Sequence, residues 1–158
     1  MMPGTLTRLK SHEEGFFTPP RRRLRLADVT TQPTTRAVDV AASDEVPERG
    51  RLIVEVGTEP PLVIGIFRFR GELRAYENVC AHQGGPACQG RIVSRVRERL
   101  DDGKASRGLV FDPGTMHVVC PWHGFEYDVT TGAHPGRADF ALRAFAVEES
   151  GGRIRVAV

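Results

Sequence analysis

Two short boxes, each pairing one cysteine with one histidine, constrain this chain more than any other feature. The first box reads Cys80-Ala-His82-Gln-Gly-Gly-Pro86, and the second reads Cys120-Pro-Trp-His123-Gly124. Each box opens just after a run of residues that predicts a β-strand. Thiolates and imidazoles on two neighbouring loops can converge on one metal centre. We therefore expect a fold that places these two loops side by side.

Two thiolates and two imidazoles suit either of two metal centres. A single Zn²⁺ accepts them tetrahedrally, whereas a binuclear iron–sulfur cluster takes the thiolates on one iron and the imidazoles on the other. The spacing of the ligands alone does not separate these alternatives. The residues between and after the ligands favour the cluster, because loops poor in side chains let backbone amides approach bridging sulfides, which a lone zinc ion lacks. These residues are Gly84, Gly85, Pro86, Pro121 and Gly124.

The two boxes resemble those of the Rieske family, in which C-x-H and C-x-x-H are each followed by glycine. The resemblance extends over residues 37–158 and implies an all-β fold. We expect a Rieske-type antiparallel β-sandwich or barrel with a small cluster-binding loop subdomain, formed by loops at about 78–90 and 118–131. Short strands separated by Gly and Pro agree with this expectation.

The resemblance also implies a cofactor and its ligands. One 2Fe–2S cluster per chain is expected, with Cys80 and Cys120 on one iron and His82 and His123 on the other. Around the ligands, the resemblance gives supporting positions to four further residues: Gly84, Pro86, Gly124 and Tyr127. In high-potential members a serine follows the second-box glycine and a tyrosine lies two residues later. Here the serine position is Phe125, and Tyr127 keeps the tyrosine.

The chain departs from the family pattern between and inside the boxes. Residues 91–115 are an insertion relative to compact Rieske ferredoxins, read either as a surface insertion or as a docking element. Within it, residues 94–102 combine helix-forming side chains with a serine N-cap and predict a short helix. Respiratory-chain members brace their loops with a disulfide, but Trp122 occupies one of those cysteine positions. Cys88 is therefore predicted to be a buried or semi-buried free thiol.

Strands are predicted throughout the domain, after an irregular N-terminal arm. The predicted strands are Arg51–Val56, Leu62–Phe69, Glu72–Tyr76, Met116–Val119, Glu126–Val129, Leu142–Glu148 and Arg153–Val158. Arg70-Gly71 predicts the tight turn of a hairpin. Residues 1–36 show no sustained period, and we read them as a solvated arm, with a partner-binding arm as the alternative.

Composition excludes several classes of function. The formal charge of +2 gives no support for a nucleic-acid partner. No apolar stretch approaches the roughly 20 residues of a membrane helix, and no secretion signal is evident. Three cysteines do not form a disulfide framework. We expect a cytoplasmic protein without a membrane or nucleic-acid partner.

The resemblance implies a stand-alone ferredoxin that passes single electrons from a reductase to an oxygenase or a similar redox enzyme, and that is not itself an enzyme. Two alternatives stay open. The chain is otherwise a fixed small subunit of a larger oxidoreductase, of the nitrite reductase or arsenite oxidase type, or a redox-responsive regulatory module.

Trp122 is the candidate anchor for a redox partner, because aromatic residues dominate interface hot spots. The alternative is that it packs between the two loops and braces them. Two other histidines are weaker candidates as ligands. We expect His117 to be a packed or surface residue and His134 to be exposed in a turn.

Overall fold

Runs of β-branched and aromatic residues, broken by glycine and proline, fold into short strands. The computed structural model describes residues 36–57 and 59–158. The strands in these ranges are β1 (Ala37–Ala42), β2 (Arg51–Val56), β3 (Leu62–Phe69), β4 (Glu72–Glu77), β5 (Arg91–Leu100), β6 (Ser106–Val119), β7 (Glu126–Asp128), β8 (Ala133–His134), β9 (Arg137–Ala141), β10 (Ala144–Phe145), β11 (Val147–Ser150) and β12 (Arg153–Ala157). Two single turns of 3-10 helix, Ser43–Glu45 and Ala87–Gln89, are the only helical elements in them. The all-β prediction is confirmed.

Every described strand pair is antiparallel, and the pairs form four small sheets. The strand orders are β1-β12-β11, β10-β4-β3-β2, β5-β6-β7 and β8-β9. The third sheet matters most for the candidate ligands. The first box precedes its strand β5, and the second box joins β6 to β7.

Strand β3 is the central strand, because both of its faces are buried. Ile64 and Ile66 lie in one hydrophobic core with Val156 of β12. Phe67, on the opposite face, lies in a second core. A strand that is buried on both faces reads as a continuous apolar run, which explains why its sequence predicts it so well. The prediction of Leu62–Phe69 matches the observed strand residue for residue.

The second core carries the candidate ligand loops. It contains both box cysteines, Cys80 and Cys120, together with Cys88 and the aromatic residues Tyr76 and Tyr127. Apolar packing on one face of β3 therefore extends directly beneath the two loops. The loops are anchored in the core of the domain and are not appended to its surface.

The hairpin predicted at Arg70-Gly71 is confirmed. Both residues have positive φ, 55° and 74°, as a two-residue turn between antiparallel strands requires. The predicted strand Leu142–Glu148 is interrupted in the structure, where β10 ends at Phe145 and β11 begins at Val147. Most of the other predicted strands differ from the observed ones by a residue or so at their ends.

The predicted short helix at residues 94–102 is wrong, because residues 94–100 belong to strand β5, which ends at Leu100. Arginines recur at the alternate positions Arg95, Arg97 and Arg99. That period of two is the strand signal, and pairing with β6 overrides the modest helix propensity of the segment. Residues 91–115 thus lie in a long two-stranded ribbon formed by β5 and β6. Leu109 and Phe111 near its far end are 73% and 75% exposed.

Two expectations concern the surroundings of the domain. The predicted irregular arm at residues 1–36 lies almost entirely outside the described residues. No helix in the described ranges is both long enough and apolar enough to cross a membrane.

The close approach of Gly65 to Cys88 gives a test of how the first loop is seated. A Cβ at position 65 would lie 2.7 Å from Sγ of Cys88 and closer still to its Cβ. We expect Gly65→Ala to lower the free energy of unfolding by about 1–3 kcal/mol, as overpacking of a core does. Urea unfolding measures it. Gly103→Ala is the matched control, because its Cβ would meet only the flexible carboxylate of Asp101, at 3.3 Å. Equal stabilities of the two variants would contradict the packing of Cys88 against β3.

The buried thiol of Cys88 gives a second test. The prediction of a buried free thiol is confirmed, and burial raises the pKa of Cys88 to about 12. At pH 8 the thiolate fraction in the folded protein is therefore lower than that of an ordinary thiol by roughly a thousandfold. We expect iodoacetamide to leave Cys88 unmodified in the folded protein and to alkylate it in guanidinium, as peptide mass mapping will show. Equal alkylation rates in the two states would contradict this environment.

Candidate metal centre

The first loop, residues 78–90, folds back on Cys80 through its own backbone. The amide of Cys80 donates to the carbonyl of Gly85 at 2.7 Å, and the amide of Gly84 donates to the carbonyl of Cys80 at 2.8 Å. Gly84 has a φ of +74°, a conformation that residues with a Cβ rarely adopt. The loop buries the Cys80 side chain and leaves His82 exposed.

The second loop repeats this backbone arrangement. The amide of Cys120 donates to the carbonyl of Phe125 at 2.8 Å, and the amide of Gly124 donates to the carbonyl of Cys120 at 3.0 Å. Gly124 has a φ of +70°. Cys120 is buried and His123 is exposed. Both loops therefore point their cysteine inwards and their histidine outwards.

The structure brings all four candidate ligands together as two pairs. Cys80 and Cys120 are buried together in one hydrophobic core, and each shifts the pKa of the other. Outside, the imidazole rings of His82 and His123 lie with centroids 5.1 Å apart and planes at 90°. The arrangement is therefore layered, with a buried sulfur pair below an exposed imidazole pair.

The two thiols differ in how readily they ionise. Burial opposes ionisation of Cys80, but hydrogen bonds from the Tyr127 hydroxyl and from the backbone amides of His82 and Gln83 outweigh it and lower the Cys80 pKa. Burial and the neighbouring Cys80 thiol raise the pKa of Cys120. The pair therefore loses its protons in two coupled steps. A metal cation beside both sulfurs favours the fully deprotonated pair.

Tyr127 links the second loop to the first. Its hydroxyl oxygen lies 3.1 Å from Sγ of Cys80 and accepts a hydrogen bond from the Ala81 amide at 3.0 Å. The hydroxyl proton is thus free to point at the sulfur. Burial and the Cys80 sulfur both raise the pKa of Tyr127, so the phenol stays protonated as a donor.

Asn78 is a structural residue of the first loop that the sequence reading missed. Its side chain is buried, and its Oδ1 accepts the backbone amide of Cys88 at 2.8 Å. This contact ties the start of the loop to the 3-10 turn that follows Pro86. A polar residue directly after strand β4 was the available signal, because such residues commonly bond to nearby loop backbone.

Phe125 contacts the first loop from the second. Its ring stacks on His82 with centroids 4.8 Å apart and planes within 3°. On its other sides lie His134 at 4.4 Å and Phe140 at 5.4 Å. The prediction that His134 is exposed in a turn is wrong. It is half-buried in strand β8 because the Phe125 ring covers it.

The structure shows how far His117 and Trp122 are buried. His117 is packed, as predicted, with Nδ1 2.9 Å from a carboxylate oxygen of Glu126. The position of Trp122 is compatible with either of its predicted roles. Its side chain is 59% exposed, yet a Cβ at Gly85 would lie 2.7 Å from its ring, so the indole also covers the first loop.

The donor set fits a two-iron cluster. Within residues 36–57 and 59–158, no three His, Cys, Asp or Glu side chains converge as a single metal ion requires. A binuclear centre instead divides the four donors into a thiolate pair and an imidazole pair. In this structure the two thiols are buried and the two imidazoles are exposed, which matches a division into a thiolate pair and an imidazole pair.

Comparisons with known proteins address the family directly. The family model of the Rieske [2Fe-2S] domain matches residues 36–141. A comparison with curated protein sequences finds no match.

Solved structures share the fold. A putative NADH-dependent nitrite reductase small subunit from Mycobacterium tuberculosis is similar at 16% identity over 78% of this chain and 96% of its own, with a TM-score of 0.57. The ferredoxin of carbazole 1,9a-dioxygenase from Nocardioides aromaticivorans IC177 is similar at 21% identity over 77% and 96%, with a TM-score of 0.52. The terminal oxygenase of carbazole 1,9a-dioxygenase from Novosphingobium sp. KA1 is similar at 19% identity over 78% and 30%, with a TM-score of 0.55.

Identities this low establish the fold alone, whereas the family match covers most of the chain. The chain belongs to the Rieske [2Fe–2S] family and carries the 2Fe–2S cluster of that domain.

Proposed function

We propose that this protein is a one-electron carrier, a Rieske-type ferredoxin that passes electrons from a reductase to an oxygenase or a similar redox enzyme in the cytoplasm. The observation that carries the proposal is the exposed imidazole pair, His82 and His123, above a buried thiol pair. When bound, the cluster supplies the uptake and release of one electron. Exposed imidazole edges give that electron a short path to a partner, and the carrier itself catalyses no reaction.

The four box residues are the proposed ligands of the cluster. Cys80 and Cys120 would hold one iron, and His82 and His123 would hold the other. The positive φ of Gly84 and Gly124 supports this assignment, because it lets each loop turn back until the glycine amide donates to the carbonyl of that loop's cysteine. Pro86 supports the first loop by leading into its 3-10 turn.

The domain is proposed to extend from Ala37 to Val158, beyond the family match that ends at residue 141. Strand β12 pairs with β1 over most of its length, and Ile154 and Val156 are fully buried. A domain that ended at residue 141 would expose this core.

The proposed docking surface for a redox partner surrounds the imidazole pair. Gln83, Pro121 and Trp122 are exposed there without a formal charge, and Val79 nearby is 46% exposed. A small, nearly uncharged surface suits a transient contact below about 1,200 Å² in total. Trp122 is the proposed anchor.

A second candidate is a fixed small subunit of a larger oxidoreductase. The nitrite reductase small subunit similar to this chain supports it, since 96% of that protein is covered. Complex stability under dilution distinguishes a shuttle from a subunit, because a transient complex separates at micromolar concentration and an obligate one does not.

The ligand assignment predicts the metal content of the protein and its variants. We expect two irons and two acid-labile sulfides per chain. Cys80→Ser and Cys120→Ser are expected to lose the cluster, and replacement of His82 or His123 to abolish the Rieske-type electron paramagnetic resonance (EPR) spectrum. Cys88→Ala is the control and is expected to keep both irons. Metal and sulfide analysis decides, and one zinc without sulfide would overturn the assignment.

The Tyr127 hydroxyl predicts a shift in redox potential. A hydrogen bond donated to Sγ of Cys80 withdraws negative charge from the cluster and so favours the reduced state. A difference of roughly 1 kcal/mol in hydrogen-bond strength between the two redox states, the size of one ordinary hydrogen bond, corresponds to about 40 mV for one electron. We expect Tyr127→Phe to lower the midpoint potential by tens of millivolts with both irons retained, as protein-film voltammetry will measure. An unchanged potential would mean that the hydroxyl does not donate to the sulfur.

The docking proposal predicts the behaviour of Trp122→Ala. We expect the cluster and its potential to survive while the rate of reducing the acceptor enzyme falls, about tenfold for each 1.4 kcal/mol lost. Stopped-flow reduction measures the rate. Phe111→Ala, which removes an exposed aromatic ring from the ribbon, is the matched control. A labile cluster would identify Trp122 as a brace instead. A fall only in Phe111→Ala would move docking to the ribbon.

A further inference from the structure

The ring plane of His82 has no hydrogen bond to hold it. No contact in the described ranges joins either of its ring nitrogens to a protein donor or acceptor, and the side chain is exposed. Metal-binding histidines are normally oriented by a hydrogen bond from the second ring nitrogen to a carboxylate or carbonyl. The orientation of this ring must therefore come from packing.

Phe125 supplies that packing. Its ring lies parallel to His82 within 3°, with centroids 4.8 Å apart, so it stacks against one face of the imidazole. His123 meets the same ring at 90°. The parallel ring of Phe125 on one face and the perpendicular ring of His123 restrict rotation of the His82 imidazole about its Cβ–Cγ bond.

Phe125 is itself held in place from behind. His134 and Phe140, both from the β8–β9 hairpin, pack on it at 4.4 Å and 5.4 Å. The guanidinium of Arg137 lies 4.3 Å from the centroid of the Phe140 ring. The backbone of Phe125 is fixed as well, because its carbonyl accepts a hydrogen bond from the Cys120 amide. Phe125 is therefore a rigid support.

We propose that Phe125 is a positioning residue that fixes the ring plane of His82 by stacking, in place of the usual hydrogen bond, and so sets the direction in which the imidazole nitrogen faces the cluster. The inference rests on the proposed function, in which His82 is a ligand. It also gives a role to Phe125. High-potential Rieske proteins have at this position a serine that donates a hydrogen bond, whereas the ring of Phe125 packs against His82 on the other loop.

The test compares Phe125→Leu with two controls. Leucine keeps the apolar volume but removes the flat ring. Phe125→Tyr keeps the ring and is the conservative variant that should restore the wild-type behaviour. Phe111→Leu makes the same exchange at an exposed position of the ribbon, where Phe111 is 75% exposed. Each reduced protein is measured by pulsed EPR for the nitrogen couplings of its two histidines, and by the rate of iron loss to a chelator.

We expect Phe125→Leu to broaden the coupling of one histidine and leave the other unchanged, because only His82 loses its stacking partner. Iron loss should be faster by roughly tenfold, the lower end of what removal of a ligand-orienting partner costs. Phe125→Tyr and Phe111→Leu should match the wild type. Couplings in Phe125→Leu that match the wild type, or that change equally for both histidines, overturn the inference.

A second variant decides the matter if Phe125→Leu fails to retain a cluster. Phe140→Leu removes support from behind Phe125 without touching either loop, and broadening of one histidine coupling would support the inference while wild-type couplings would overturn it. The proposed function fails separately. In that case the wild-type protein itself shows no pair of histidine couplings.

Discussion

Burial of strand β3 on both faces is the constraint on which the rest of the structure depends. One face, with Ile64 and Ile66, closes the core against β12. The other face seats the cluster loops, since Gly65 leaves room for Cys88 and Phe67 joins the core that holds Cys80. The position of the metal centre is thus a consequence of ordinary hydrophobic packing on a single strand. A side chain at Gly65 would push against the loop that carries half of the proposed ligands.

The strands nearest the site are predictable because their local and tertiary signals agree. Leu62–Phe69 is apolar on both faces, and Arg70-Gly71 has the turn chemistry that its hairpin requires. The boxes are equally readable, because cysteine and histidine at close spacing followed by glycine have few structural uses other than metal binding. These features depend on residues adjacent in the chain, and a sequence displays them directly.

The features that the sequence hides depend on contacts between distant residues. Residues 94–102 predict a helix because they are rich in helix-forming side chains, whereas the structure has residues 94–100 in strand β5. Only the pairing of β5 with β6 decides between helix and strand. His134 was expected to be exposed because its turn-like neighbourhood gives no sign of the Phe125 ring that covers it. Asn78 was missed because its partner, the amide of Cys88, lies ten residues further along the chain.

The two loops form one unit because two aromatic residues of the second loop contact the first. Phe125 and Tyr127 are two residues apart, with Phe125 just before β7 and Tyr127 within it. In extended chain, side chains two residues apart point to the same side. Tyr127 therefore reaches Cys80 while Phe125 reaches His82. Each proposed ligand of the first loop is contacted by one aromatic residue from the second, a polar contact at the buried sulfur and a stacking contact at the exposed imidazole. A shift of β7 by one residue would turn both aromatic side chains away, so the geometry of the first loop depends on the register of the second.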